Sequence, residues 1–162
     1  MNFEKDRIDI LKNSETNGSP ACSKSNICVF LMKRVLICDD DLDILDILDY
    51  ALRDSGWEVI KSYTVDNIID KIESSQPSVI IMDNWIPDVG GIEATRTIKR
   101  HPVFREIPVI YLTANNDIES LAERAGADWA LPKPFDLDNL TKLVEKAYSQ
   151  KSHSTEAPAA LI

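Results

Sequence analysis

Four polar points in this chain each stand at the end of a short apolar run. Val35-Leu36-Ile37-Cys38 ends in Asp39-Asp40, Val79-Ile80-Ile81-Met82 ends in Asp83, and Val109-Ile110-Tyr111-Leu112 ends in Thr113. Trp129-Ala130-Leu131 leads through Pro132 to Lys133-Pro134. Three carboxylates, a hydroxyl and an ammonium brought to one place would suit magnesium-dependent phosphoryl chemistry. Ionised carboxylates packed together repel, and they coexist only beside a cation. An open set of hard oxygen donors suits Mg2+, which keeps several waters and binds phosphate. Phosphoryl transfer through a loose transition state needs alignment and neutralisation of the equatorial oxygens. A lysine supplies charge for that, and a hydroxyl adds a donor.

The elements that would carry these residues follow from periodicity. Short apolar runs separated by helical patterns read as buried parallel strands. Lys33–Cys38 is the first. Leu42–Ser55 reads as a helix: Leu45, Leu48 and Leu52 form one stripe, Ile44, Ile47 and Ala51 its neighbour, and Asp43, Asp46 and Asp49 face water. Gly56 closes it. Trp57–Ser62 is the second strand and Val65–Ser74 the second helix. Val79–Met82 follows Pro77, and a Pro87–Gly91 loop precedes a helix over Ile92–Arg100. Val109–Leu112 follows Pro108, Ile118–Ala125 is a helix closed by Gly126, Trp129–Leu131 is a short fifth strand, and Leu137–Ser149 is the last helix. Five strands and five helices in strict alternation predict an α/β fold, a flavodoxin-like doubly wound parallel sheet of order 2-1-3-4-5. That order makes the first and third strands neighbours. Asp39, Asp40 and Asp83 would then meet at the carboxyl edge, where open sheets of this kind bind ligands.

The 162 residues suit one domain with tails, and 44% hydrophobic content is enough for its core. The domain is expected over residues 32–150, with a disordered extension at 1–31 and a frayed tail at 151–162. Ser14 to Asn26 is rich in Ser, Asn, Gly and Pro, although Phe3–Leu11 could form a short helix. Met32-Lys33-Arg34 runs straight into the first strand, so Met32 is read as the native initiator. An intact mass that includes residue 1 would overturn that reading. A net charge of −9 argues against binding nucleic acid or an anionic membrane. Cys22 and Cys28 lack the spacing and partners of a zinc site, and Cys38 reads as a small buried hydrophobe. A reduced, cytoplasmic setting fits. No apolar stretch approaches the roughly 18 residues of a membrane span, and Ile27 to Met32 is too short for a signal-peptide core.

Four segments in order resemble the receiver domain of two-component response regulators: Val-Leu-Ile-Cys-Asp-Asp-Asp (35–41), Ile-Ile-Met-Asp-Asn-Trp-Ile-Pro-Asp-Val-Gly-Gly (80–91), Ile-Pro-Val-Ile-Tyr-Leu-Thr-Ala (107–114) and Leu-Pro-Lys-Pro-Phe (131–135). The resemblance implies that Asp83 accepts a phosphoryl group from a phosphohistidine on a sensor histidine kinase or histidine phosphotransfer protein. The aspartyl phosphate later hydrolyses, so the chain would be a phosphoacceptor signalling protein rather than a turnover enzyme. Asp40 and Asp83, with the backbone carbonyl of Trp85, would hold Mg2+, and Asp39 would act mainly through metal-bound water. Thr113 would hydrogen-bond the phosphoryl group, Lys133 would pair with its oxygen, and Lys133-Pro134 would be cis. Asp41 is read as the cap of the first helix and Asp88 as a turn residue after Pro87. His101 and His153 lie outside the predicted site.

Two positions depart from the family pattern. Family members often carry Tyr or Phe three residues before the lysine, a ring that rotates with the threonine on phosphorylation. This chain has Ala130 there, and Trp129 one place earlier should point to the opposite face. Trp85, two residues after Asp83, borders the phosphoryl position with Asn115 on the other side, which predicts a long-lived phosphoryl state. The few residues after Ser149 imply a stand-alone receiver that relays phosphate or switches binding to a downstream protein. Two other readings stay open. One is a phosphorylation-independent binding module. The other is a hydrolase of the haloacid-dehalogenase type with Asp39 as nucleophile, which would leave Asp83 and the Pro87–Gly91 loop unexplained.

Overall fold

The computed structural model describes residues 33–114 and 123–153. The expectations for residues 1–31, for Asn115, for most of the helix at 118–125 and for the end of the tail lie outside the described residues. Five strands, β1 (Arg34–Cys38), β2 (Glu58–Ser62), β3 (Val79–Asp83), β4 (Val109–Thr113) and β5 (Trp129–Pro132), form one parallel sheet of order β2-β1-β3-β4-β5. The helices are α1 (Leu42–Asp54), α2 (Ile68–Ser75), α3 (Gly91–Arg100), α4, described over 123–125, and α5 (Leu137–His153). This is the flavodoxin-like doubly wound sheet that strict alternation predicts. Among the described residues no helix is long and apolar enough to cross a membrane.

Every residue of β3 and β4 is buried, as required of central strands covered on both faces. Alternate side chains feed two cores. Leu36, Cys38, Ile80, Met82, Val109 and Tyr111 meet α2 and α3. Val35, Ile37, Val79, Ile81, Ile110 and Leu112 meet Leu45, Leu48 and Leu52 of α1 and Leu140, Val144 and Ala147 of α5.

The ends of the helices explain where sequence and structure differ. Asp41 caps α1, its carboxylate accepting from the N–H groups of Asp43 and Ile44. Gly56, at φ +84°, closes it, and the N–H of Trp57 still donates to Leu52 O at 3.0 Å. That six-to-one bond keeps Trp57 with the helix, so β2 starts one residue later than expected. α2 begins at Ile68 rather than Val65. Asn67 sits at φ +51°, and Lys71 Nζ binds Ser62 Oγ and both oxygens of Thr64, so the residues before Ile68 form a fastened loop. α5 runs past Ser149 to His153, into the stretch expected as frayed tail. No Gly or Pro interrupts it there.

Candidate functional site

Register places the polar points. Cys38 pairs with Met82, Asp83 with Leu112, and Thr113 with Pro132. Asp39, Asp83, Thr113 and Lys133 therefore emerge on neighbouring strands, about 4.8 Å apart, at the carboxyl edge. Lys133 N donates to Thr113 O at 2.8 Å, and Asn84 N to Leu112 O at 2.9 Å, which extends the ladder past the strands. The Lys133–Pro134 peptide is cis.

At that edge the ammonium of Lys133 lies 2.7 Å from Asp39 Oδ2 and 2.8 Å from Asp83 Oδ1. Asp39 Oδ1 accepts from Asp41 N at 3.0 Å, and Asp83 Oδ2 accepts from Trp85 N at 2.6 Å. One carboxylate oxygen each from Asp39, Asp40 and Asp83 can be chosen so that all lie within 4.8 Å of one another. Asp39 and Asp83 are buried, Asp40 is exposed, and Trp85 is 79% exposed. Burial pushes the Asp39 carboxyl above its ordinary range, and the hydrogen bond from Lys133 offsets part of that. Burial works against the charge of Lys133, but its bonds to Asp39 and Asp83 outweigh it and hold the ammonium above its ordinary range. Three carboxylates against one ammonium leave negative charge uncompensated. The donor set is all oxygen, partly open and acidic, which fits a hard divalent cation such as Mg2+.

Asp39, Asp40, Asp83, Trp85, Thr113 and Lys133 line one open cleft of about 560 Å³. All six residues singled out from the sequence thus come together, and His101 instead stacks on Phe104 beyond the end of α3. Asp88 occupies a turn at φ +68°.

Two contributors were not singled out from the sequence. At Gly91 an added Cβ would overlap the backbone carbonyl oxygen of Asp83, so only glycine lets α3 start against the end of β3. The Gly90-Gly91 pair signalled a turn, but the close approach depends on the fold. The other is Asn84, whose side-chain oxygen accepts from the Tyr111 hydroxyl at 2.5 Å.

Residues 35–145 match the response regulator receiver domain family. The chain belongs to that family. The match covers the whole strand edge. The receiver domain is 33% identical over 128 residues to the DNA-binding transcriptional regulator NtrC of Klebsiella pneumoniae, and 30% identical over 128 residues to the transcriptional regulatory protein TrcR of Mycobacterium tuberculosis. These alignments cover 75% and 78% of this chain but 27% and 49% of those proteins. Its fold matches a CheY-like response regulator receiver domain protein from Methanospirillum hungatei at TM-score 0.69 and 26% identity, over 76% of this chain and 98% of that one.

Proposed function

We propose that this receiver accepts a phosphoryl group from a sensor histidine kinase or histidine phosphotransfer protein onto Asp83, in a Mg2+-dependent reaction, and then relays it or changes its affinity for a protein partner. The observation that carries this reading is the Lys133 ammonium bridging Asp39 and Asp83, with the exposed Asp40 beside them.

In the reaction an Asp83 carboxylate oxygen attacks phosphorus. The O–P bond forms as the P–N bond of the phosphohistidine breaks, and the freed imidazole takes up a proton. The product is an acyl phosphate that water later hydrolyses. The Trp85 N–H on Asp83 Oδ2 orients the carboxylate before attack. Lys133 keeps its charge and follows the negative charge onto the phosphoryl oxygens, and the Thr113 hydroxyl adds a donor. Asp39, Asp40, Asp83 and the backbone carbonyl of Trp85 would hold the metal, with Asp39 acting mainly through water. Mg2+ supplies the positive charge that lets a carboxylate meet a phosphoryl group.

Intact-mass spectrometry after incubation with acetyl phosphate and Mg2+ tests this. The wild type should gain one phosphoryl group only when Mg2+ is present, and Asp83→Asn should gain none. Failure with acetyl phosphate and with a panel of histidine kinases would favour the phosphorylation-independent binding module.

A further inference from the structure

Tyr111 lies in the middle of β4, fully buried, paired with Met82 on one side and Ala130 on the other. A buried tyrosine hydroxyl needs a partner. This one reaches past the sheet to Asn84 Oδ1 at 2.5 Å, a contact between residues 27 apart in sequence. Burial, and next to it the charge of Asp83, pushes the phenol up to about 12, with Arg124 working the other way. The hydroxyl therefore keeps its proton and donates.

Asn84 is held at three points. Its N–H donates to Leu112 O at 2.9 Å, its carbonyl accepts from Gly91 N at 3.3 Å, and its side chain accepts from Tyr111. Asn84 joins Asp83 to Trp85 along the chain, and the Trp85 N–H orients the Asp83 carboxylate at 2.6 Å. A rotation of the Asn84 backbone would carry that N–H away and move the Trp85 carbonyl with it. Two of the three restraints are backbone bonds that any residue except proline could make. The third needs a side-chain acceptor here and a hydroxyl donor on the next strand, which Asn84 and Tyr111 supply.

We propose that the Tyr111 hydroxyl is a positioning group for the reaction: through Asn84 it sets the backbone from Asp83 to Trp85, and so the aim of the Asp83 carboxylate and the uptake of a divalent cation. The small side chain of Ala130 is the cross-strand neighbour of the tyrosine. The inference rests on the function proposed above, but its test separates from that reading.

Tyr111→Phe keeps the ring and removes only the hydroxyl. Mg2+ affinity, read by calorimetric titration with MgCl2 alone, should fall by about tenfold, the low end of what groups orienting metal ligands contribute. The initial rate of labelling by acetyl phosphate at subsaturating Mg2+ should fall in parallel. Amide exchange at Trp85 should quicken while β1 amides keep their protection. In an Asn84→Ala background, Tyr111→Phe should change none of these. Wild-type Mg2+ affinity and Trp85 exchange in Tyr111→Phe would overturn the proposal, as would an equal loss with and without Asn84. A wild type that takes up no phosphoryl group defeats the proposed function, and exchange at Trp85 still decides this inference.

Discussion

Asp39 and Asp83 share one ammonium, and Asp40 stands within reach of both. Lys133 cannot neutralise three carboxylates, so the site stays hungry for positive charge while holding its own cation in place. On the alkaline side the raised Lys133 pKa keeps the pairing intact until pH rises past the ordinary lysine value, and on the acid side the pairing is lost as Asp39, whose carboxyl burial holds above its ordinary range, takes up a proton. Trp85 adds bulk at the mouth, 79% exposed and one residue beyond Asn84. We expect Trp85→Ala to shorten the phosphoryl lifetime by roughly three- to tenfold, because the indole restricts the attacking water. A dephosphorylation time course checks this, and an unchanged or slower rate in the variant refutes shielding. Trp129 packs with the core beneath α1 and α5, where Lys146 Nζ lies 4.5 Å from its ring centroid. It is therefore not placed to serve the face that Ala130 and Tyr111 share.

At the scale of elements, β3 and α3 meet at Gly91, with no room for a side chain against the Asp83 carbonyl. Gly91→Ala should destabilise the fold by about 3 kcal/mol through forced overpacking, and it should weaken Mg2+ binding because the strain falls on Asp83. Urea denaturation and metal titration of the same variant test both effects. A variant of wild-type stability would show that α3 can shift freely. At the opposite edge of the sheet, Glu145 of α5 accepts from Trp57 Nε1 at 2.9 Å and pairs with Lys33 Nζ at 2.9 Å. Trp57 is 3% exposed and meets Tyr148 edge-on, with ring centroids 5.4 Å apart. Glu145→Ala leaves the indole N–H without this acceptor and should cost about 1–2 kcal/mol in urea denaturation. Lys33→Ala should cost less, about 0.5 kcal/mol, because its pair with Glu145 is partly exposed. Equal losses would mean that the ion pair, not the indole contact, fastens α5.

For the whole molecule, metal binding and folding are linked. Mg2+ at ten times its dissociation constant should stabilise the folded protein by about 1.4 kcal/mol, visible as a higher thermal midpoint that a chelator reverses. Asp40→Asn should raise the midpoint of the metal-free protein, because one of the repelling charges is gone, and should remove most of the Mg2+ effect. A midpoint indifferent to Mg2+ in the wild type would contradict cation binding at this cleft. The chain spans 27% and 49% of the lengths of NtrC and TrcR, and what their remaining parts do is a property of those proteins.

Much of this architecture was legible in the residues. Strand positions and strand order follow from apolar runs such as Val79–Met82 and from alternation with amphipathic helices, because both are local or topological constraints. The convergence of Asp39, Asp40, Asp83, Thr113 and Lys133 on one edge was legible for the same reason: a polar residue directly after a buried run emerges at the strand end. Helix starts were less so, since the Lys71 bonds and the left-handed Asn67 that delay α2 are contacts across a loop. What only the tertiary structure decided is what meets what. The sharing of Lys133 between Asp39 and Asp83, the closeness of Gly91 to the Asp83 carbonyl, and the Tyr111–Asn84 bond all join different strands or turns. Such contacts depend on register and sheet twist, which no local pattern encodes.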